Sequence, residues 1–212
     1  MLHKQTVEPQ LLIVLEKLVK LPALNNFVLV GGTALSLQIG NRKSIDIDLF
    51  TNSAWDIDAV EETLIEECDF VTQNKFKGGL LGRINQIKVD IISHKYAWVK
   101  PFATIEGIPL ASLADIAAMK LNAICSNGTR LKDYIDIAFL GNRFSLNEMT
   151  DFYHQKYPSV NSIIAVKSLC YFDDIDFDVT IEYIEKPLKW EQISSRLIEM
   201  VQQPNKVFRQ PF

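Results

Sequence analysis

Two aspartates one residue apart, Asp46 and Asp48, stand in the run Arg42-Lys-Ser-Ile-Asp-Ile-Asp-Leu-Phe50, downstream of the glycine pair Gly31-Gly32. Residues i and i+2 of a strand point to the same side. Both carboxylates therefore aim at one point, in front of a turn whose glycines let the backbone approach a ligand closely. Oxygen ligands of this kind suit a hard divalent cation, Mg2+ or Mn2+. A helix beginning just after the glycines would present amides and a positive dipole end to phosphate. Taken separately, a Gly-Gly turn is ordinary and two strand acids are often only solvated. Together they describe a chemistry of metal and nucleoside triphosphate.

Asp90, in the apolar run Ile87-Lys-Val-Asp-Ile-Ile92, is the third acid. A single strand aspartate carries little weight alone. Beside Asp46 and Asp48 it makes a three-carboxylate, two-metal site the better account. Lys120 is the fourth residue of interest. At about 100° per residue it falls inside the stripe of Leu113, Ile116, Ala117, Leu121 and Ile124. A lysine there must snorkel or find an anion. Two readings stay open: an ion pair with Asp133 or Asp136, or a lysine reaching across an interdomain cleft to triphosphate. Asp133 and Asp136, off the Leu131/Ile135/Ala138 face, read as exposed acids. The acidic run Phe172–Asp178 reads as a loop rather than a metal site, since no phosphate-binding turn accompanies it.

The elements that must position these residues follow from periodicity and breakers. An amphipathic helix is expected over 7–20, a short strand over 27–30, a helix over 33–39 and a strand over 44–50. A helix over 56–68, a hairpin of 70–76 with 80–85 and a strand over 86–93 complete a small sheet. From about residue 112 the pattern turns helical, with helices over 112–126, 130–140, 145–156, 159–169 and 189–203. The segment Pro101–Pro109 reads as the boundary, which gives a sheet domain over 1–108 and a helical domain over 109–212.

Composition narrows the class. A formal charge of −4 and a pI of about 5.4 argue against binding long duplexes by bulk electrostatics. Cys68, Cys125 and Cys170 are scattered without a C-x-x-C, and read as reduced core thiols of a cytoplasmic protein. His3, His94 and His154 are isolated, which speaks against zinc. The run Leu11–Lys20 is too short and too charged to span a membrane and lacks the marks of a signal peptide.

The motifs Gly31-Gly-Thr-Ala-Leu35, Arg42-Lys-Ser-Ile-Asp-Ile-Asp-Leu49 and Lys88-Val-Asp90 resemble the nucleotidyltransferase superfamily built like DNA polymerase β. Ser112–Ile124 with Lys120, and Lys132-Asp-Tyr-Ile-Asp136, resemble the AbiEii/AbiGii toxin family within it. The resemblance implies an α+β fold: a small mixed-sheet nucleotidyltransferase core with flanking helices, then a C-terminal helical domain forming the other wall of the site. It implies metal ligation by Asp46, Asp48 and Asp90, and a phosphate turn at Gly31, Gly32 and Thr33. Nucleotide-binding roles carry over to Arg42, Ser44, Lys120 and Asp133, and catalytic roles to Lys120 and Asp136. The expected activity is Mg2+-dependent transfer of a nucleoside monophosphate from an NTP to an acceptor hydroxyl, with tRNA or protein as acceptor and a cognate antitoxin as partner. The alternatives are a non-catalytic nucleotide- or partner-binding module on the same fold and, more weakly, a metal-dependent phosphohydrolase.

Overall fold

A computed structural model describes residues 1–209. The chain forms two units: Met1–Ala97 with Pro101–Ala111, and Trp98–Lys100 with the chain from Ser112 onward.

The first unit opens on helix α1 (Pro9–Leu18), with Pro9 at its first turn and Leu11, Val14, Leu15 and Leu18 buried along one face. Strand β1 (Val28–Leu29) is followed directly by α2 (Gly31–Ile39), which ends at Gly40 in the left-handed region, φ 72°. Strand β2 (Asp46–Thr51) comes next, then α3 (Ile57–Cys68), whose Asp56 side chain caps the amides of Asp58 and Ala59. Strands β3 (Phe70–Phe76), β4 (Gly79–Ile84) and β5 (Ile87–Ser93) form a meander. A last hairpin, β6 (Ala103–Ile105) and β7 (Ile108–Leu110), returns the chain to the sheet. The seven strands lie in the order β3-β4-β5-β2-β1-β7-β6.

Two pairings matter most for the site. Strand β2 runs parallel to β5 at the centre of the sheet, and β1 runs antiparallel to β2. The central strands bury Leu29, Ile47, Leu49, Val89 and Ile91 almost completely. The β6–β7 hairpin falls within the segment read from sequence as an interdomain boundary. It turns at Glu106 and Gly107, both at positive φ. Strand β7 pairs in parallel with β1, and the Ala111 amide donates to the Leu29 carbonyl at 3.0 Å. Strands of three residues are too short to show a period, and the flanking prolines hide them further.

The second unit packs α4 (Leu113–Ser126), α5 (Leu131–Leu140), α6 (Leu146–Lys156), α7 (Ser162–Ser168) and α8 (Trp190–Gln202). Helix α6 starts with a capping box between Ser145 and Glu148. Asp115, in the first turn of α4, accepts from the Ser112 hydroxyl at 2.7 Å and from the amides of Val99 at 2.9 Å and Lys100 at 3.2 Å. It also pairs with Lys156 at 2.8 Å, both side chains being wholly buried. The Lys156 ammonium lies 4.7 Å from the centroid of the Trp98 ring. These contacts explain why Trp98–Lys100 belongs with the helices. Sequence reasoning gave no role to Asp115 or Lys156. The reading of all three cysteines as core thiols is corrected: Cys68 is buried, Cys125 is half-buried and Cys170, just after α7, is exposed. Among the described residues no helix is long and apolar enough to cross a membrane.

Asp115→Ala would leave the Lys156 ammonium buried without its carboxylate, and a buried pair broken on one side costs about 3–5 kcal/mol. Urea unfolding should show a loss of that size. Replacing both residues together, Asp115→Leu with Lys156→Met, should restore much of it.

Candidate active site

The acid face is built by strand alternation and then by register. In β2, Ile47, Leu49 and Thr51 are buried while Asp46, Asp48 and Phe50 are half-buried on the opposite side. In β5, Val89 and Ile91 are buried, and Lys88 and Asp90 take the other face. Parallel pairing sets Asp46 beside Lys88 and Asp48 beside Asp90. Laterally paired residues share a face, so all three carboxylates lie on the same side of adjacent central strands.

The glycine turn stands against this face. The Val30 amide donates to the Asp48 carbonyl at 2.9 Å, which docks the start of α2 onto β2. Gly31 has φ 70°, a conformation that glycine adopts without strain. A Cβ on Gly31 would run into the Asp48 carboxylate. No side chain caps the N-terminus of α2, since its N-cap is Val30. A helix end left this way, beside a turn without side chains, suits an anion.

Beneath the turn lies a layer of buried polar groups. Thr33 is 1% exposed; its hydroxyl donates to the Asp46 carbonyl and lies 2.9 Å from Ser44 Oγ. Arg42 is 2% exposed and donates from Nη1 to the Lys43 carbonyl at 3.0 Å. A Cβ on Gly32 would come within 2.8 Å of Arg42 Nη2 and 3.2 Å of Ser44 Oγ. Thr33, Arg42 and Ser44 thus hold the turn and β2 together from behind. All three side chains are buried behind the glycine turn.

Asp90 has two different oxygens. Oδ2 is paired with the Lys88 ammonium. Oδ1 is buried and has no hydrogen-bond partner. Burial works against the charge on Lys88, yet its pKa is raised, because the bond to Asp90 and the fields of Asp90, Asp48 and Asp46 outweigh that effect. All three acids therefore act on this one lysine. Among the described residues no group of three His, Cys, Asp or Glu is gathered closely enough to hold a metal ion. The acids share a face and a register, but Asp90 is turned to Lys88 and the three do not converge. Beyond Asp48 the face continues into Phe50, whose ring lies 5.5 Å from His94; His94 in turn lies 5.0 Å from Tyr96. The sequence reading missed both Lys88 and these rings. The alternation that placed Asp90 also places Lys88.

In the second unit, Lys120 is 6% exposed and its ammonium pairs with Asp133 at 2.6 Å and Asp136 at 2.8 Å. The apolar stripe did signal a buried lysine in need of an anion. The reading of Asp133 and Asp136 as exposed acids is corrected: they are 1% and 0% exposed. They are drawn inward because Lys120 on α4 requires compensation, and the cluster ties α4 to α5. Phe172–Asp178 is irregular, as expected of a loop; Asp176 forms a bridge with Arg130, and its amide donates to the Thr129 carbonyl at 2.9 Å.

A parallel sheet centre carrying aspartates in D-x-D spacing behind a Gly-Gly turn, joined to a helical unit, is the arrangement of a nucleotidyltransferase. The family model for the AbiEii nucleotidyl transferase toxin of type IV toxin–antitoxin systems matches residues 13–210, so the chain belongs to this family of nucleotidyltransferases. An uncharacterized protein of Aquifex aeolicus (strain VF5), aq_aa25, is 32% identical over 187 residues, covering 84% of this chain and 88% of that protein. The fold is similar to the crystal structure of JHP933 from Helicobacter pylori, with TM-score 0.54, 19% identity and coverage of 94% of this chain and 93% of that one. A second H. pylori structure, titled as a candidate nucleotidyltransferase, aligns with TM-score 0.56 at 19% identity over 92% of this chain and 91% of that one.

Gly31→Ala should report on the turn directly. The positive φ and the contact with Asp48 together should cost about 1–3 kcal/mol, read as a lower melting temperature. Nucleotide binding by calorimetry should fall more than the stability loss explains, because the Asp48 carboxylate is displaced.

Proposed function

We propose that this protein transfers a nucleoside monophosphate from an NTP to an acceptor hydroxyl, with Mg2+ or Mn2+ held by Asp46, Asp48 and Asp90. The observation that carries the reading is the β2–β5 register, which puts the three carboxylates on one face, with Asp48 directly against the Gly31 turn. The donor set suits a hard divalent cation by its chemistry: the ligands are all carboxylate oxygens on one sheet face. When bound, the metal supplies positive charge to the attacking oxygen and the leaving pyrophosphate.

The chain's own residues supply the rest. The amides of the Gly31–Gly32 turn and the dipole of α2 bind the triphosphate. Thr33, Ser44 and Arg42 keep that turn fixed against β2, so little reorganisation is needed at the moment of transfer. The acceptor oxygen forms a bond to the α-phosphorus as the bond to the β-phosphate oxygen breaks, and pyrophosphate leaves. The acceptor proton passes to a carboxylate of the acid face. Phe50, His94 and Tyr96 offer rings on which a base can stack. Lys120, Asp133 and Asp136 serve this reading as the buried cluster that sets α5 on α4. The acceptor to test is the hydroxyl of a tRNA or of a protein; the family model is that of a toxin of toxin–antitoxin systems, which makes a cognate antitoxin the expected partner.

Asp48→Asn tests the reading. Transfer of label from [α-32P]NTP to cellular RNA or protein should fall by at least about 100-fold, on the scale of losing one preorganised electrostatic group. Stability without metal should hold or rise slightly, because one of two neighbouring like charges is gone. Wild-type protein that binds nucleotide yet labels no acceptor with Mg2+ or Mn2+ would turn the reading to a binding module.

A further inference from the structure

We infer that Lys88 is the resident counter-cation of the acid face, and that a divalent metal must take Asp90 from it. The inference rests on the metal-dependent reading above and goes beyond it by naming the residue that sets metal affinity.

Three observations converge. Lys88 shares its strand face with Asp90 and lies beside Asp46 across the β2–β5 ladder. Its ammonium is paired with Asp90 Oδ2, while Oδ1 stays buried without a partner. On its other side Lys88 is paired with Arg83 of β4, whose guanidinium donates to the Gln86 carbonyl at 2.8 Å. Like charges directly across a ladder disfavour each other. Lys88 is thus flanked by a cation on one strand and by acids on the other, and it leans to the acids.

The side chain is suited to yield. Lys88 keeps 43% of its side chain exposed, and Asp90 keeps 15%. A four-carbon stem can swing its ammonium into water while the carboxylate stays on the strand. Oδ1 is buried, so a cation entering beside Asp46 and Asp48 meets Asp90 at the Oδ2 that Lys88 holds and gains it only when that exchange occurs. The free energy of the Lys88–Asp90 pair is therefore subtracted from metal affinity, as required for any two ligands of one group.

Titration of the whole protein with Mn2+, followed by electron paramagnetic resonance of the free ion, tests this in the wild type, Lys88→Met, Lys88→Gln and Lys88→Arg. Partly exposed pairs are worth up to about 1 kcal/mol, so Met and Gln should tighten Mn2+ binding about two- to fivefold. Arg, which keeps the cation, should stay near wild type. In EDTA the Met variant should melt below wild type, and Mn2+ should raise its melting temperature by more. In an Asp90→Asn background the gain from Lys88→Met should disappear. Unchanged or weaker Mn2+ binding by both the Met and Gln variants, while wild type binds, would overturn the role of Lys88 and leave the metal site standing. A wild type that binds no Mn2+ would overturn the metal site and the inference with it.

Discussion

Like charges crowded on one sheet face are the constraint to which the rest of the first unit answers. Neighbouring strands lie about 4.8 Å apart, and two carboxylates about 5 Å apart at an effective dielectric near 20 repel by about 3 kcal/mol. The β2–β5 register imposes such a pair, Asp48 with Asp90, and the strand period adds Asp46. Around these acids the structure gathers positive character of three kinds. Lys88 pairs directly with Asp90. The N-terminus of α2 points its dipole toward Asp48. Arg42 brings its guanidinium under Gly32 from the buried side. Each tempers the repulsion.

The second unit handles charge in the opposite way. Lys120 with Asp133 and Asp136, and Lys156 with Asp115, are almost entirely buried. A buried cluster is weak evidence of net stability, but removing one member leaves an uncompensated charge. These residues therefore specify how α4, α5 and α6 meet. The acid face keeps its groups half-exposed, where a ligand can compete for them.

How much was legible follows from the length over which a pattern runs. The strands carrying Asp46, Asp48 and Asp90 alternate for six or seven residues, so their faces could be read from the sequence. The three-acid reading required the strand of Asp90 to neighbour that of Asp46 and Asp48, as β5 does; their parallel direction and register could not be read, because pairing is a property of the sheet and not of either segment. The apolar stripe on α4 marked Lys120 as a lysine in need of an anion, yet Asp133 and Asp136 lay off the stripe of their own helix and looked solvated. A helix buried on more than one side carries inward acids outside its apolar stripe. Thr33, Ser44 and Arg42 were legible as a motif, but not as a buried layer; motifs name residues without saying from which side they act. Lys88 was in view within the Lys-Val-Asp run but carried no signal of its own, since a strand lysine is ordinarily a solvated charge.

Stability and affinity are opposed at such a face. Any group that relieves the acids in the metal-free protein lowers the free energy of that state, and a metal must then recover the same amount before it gains anything. Three bare acids would bind metal tightly but strain the sheet beneath them. An acid face fully neutralised by fixed partners would be stable and inert. Lys88 lies between these limits because its pair is partly exposed, unlike the Lys120 and Lys156 pairs. On the proposed reading, burying the Lys88 pair would turn the acid face into a structural one without changing a carboxylate. The functional difference between the two units of this chain therefore lies less in which charges they hold than in how much water each charge can still reach.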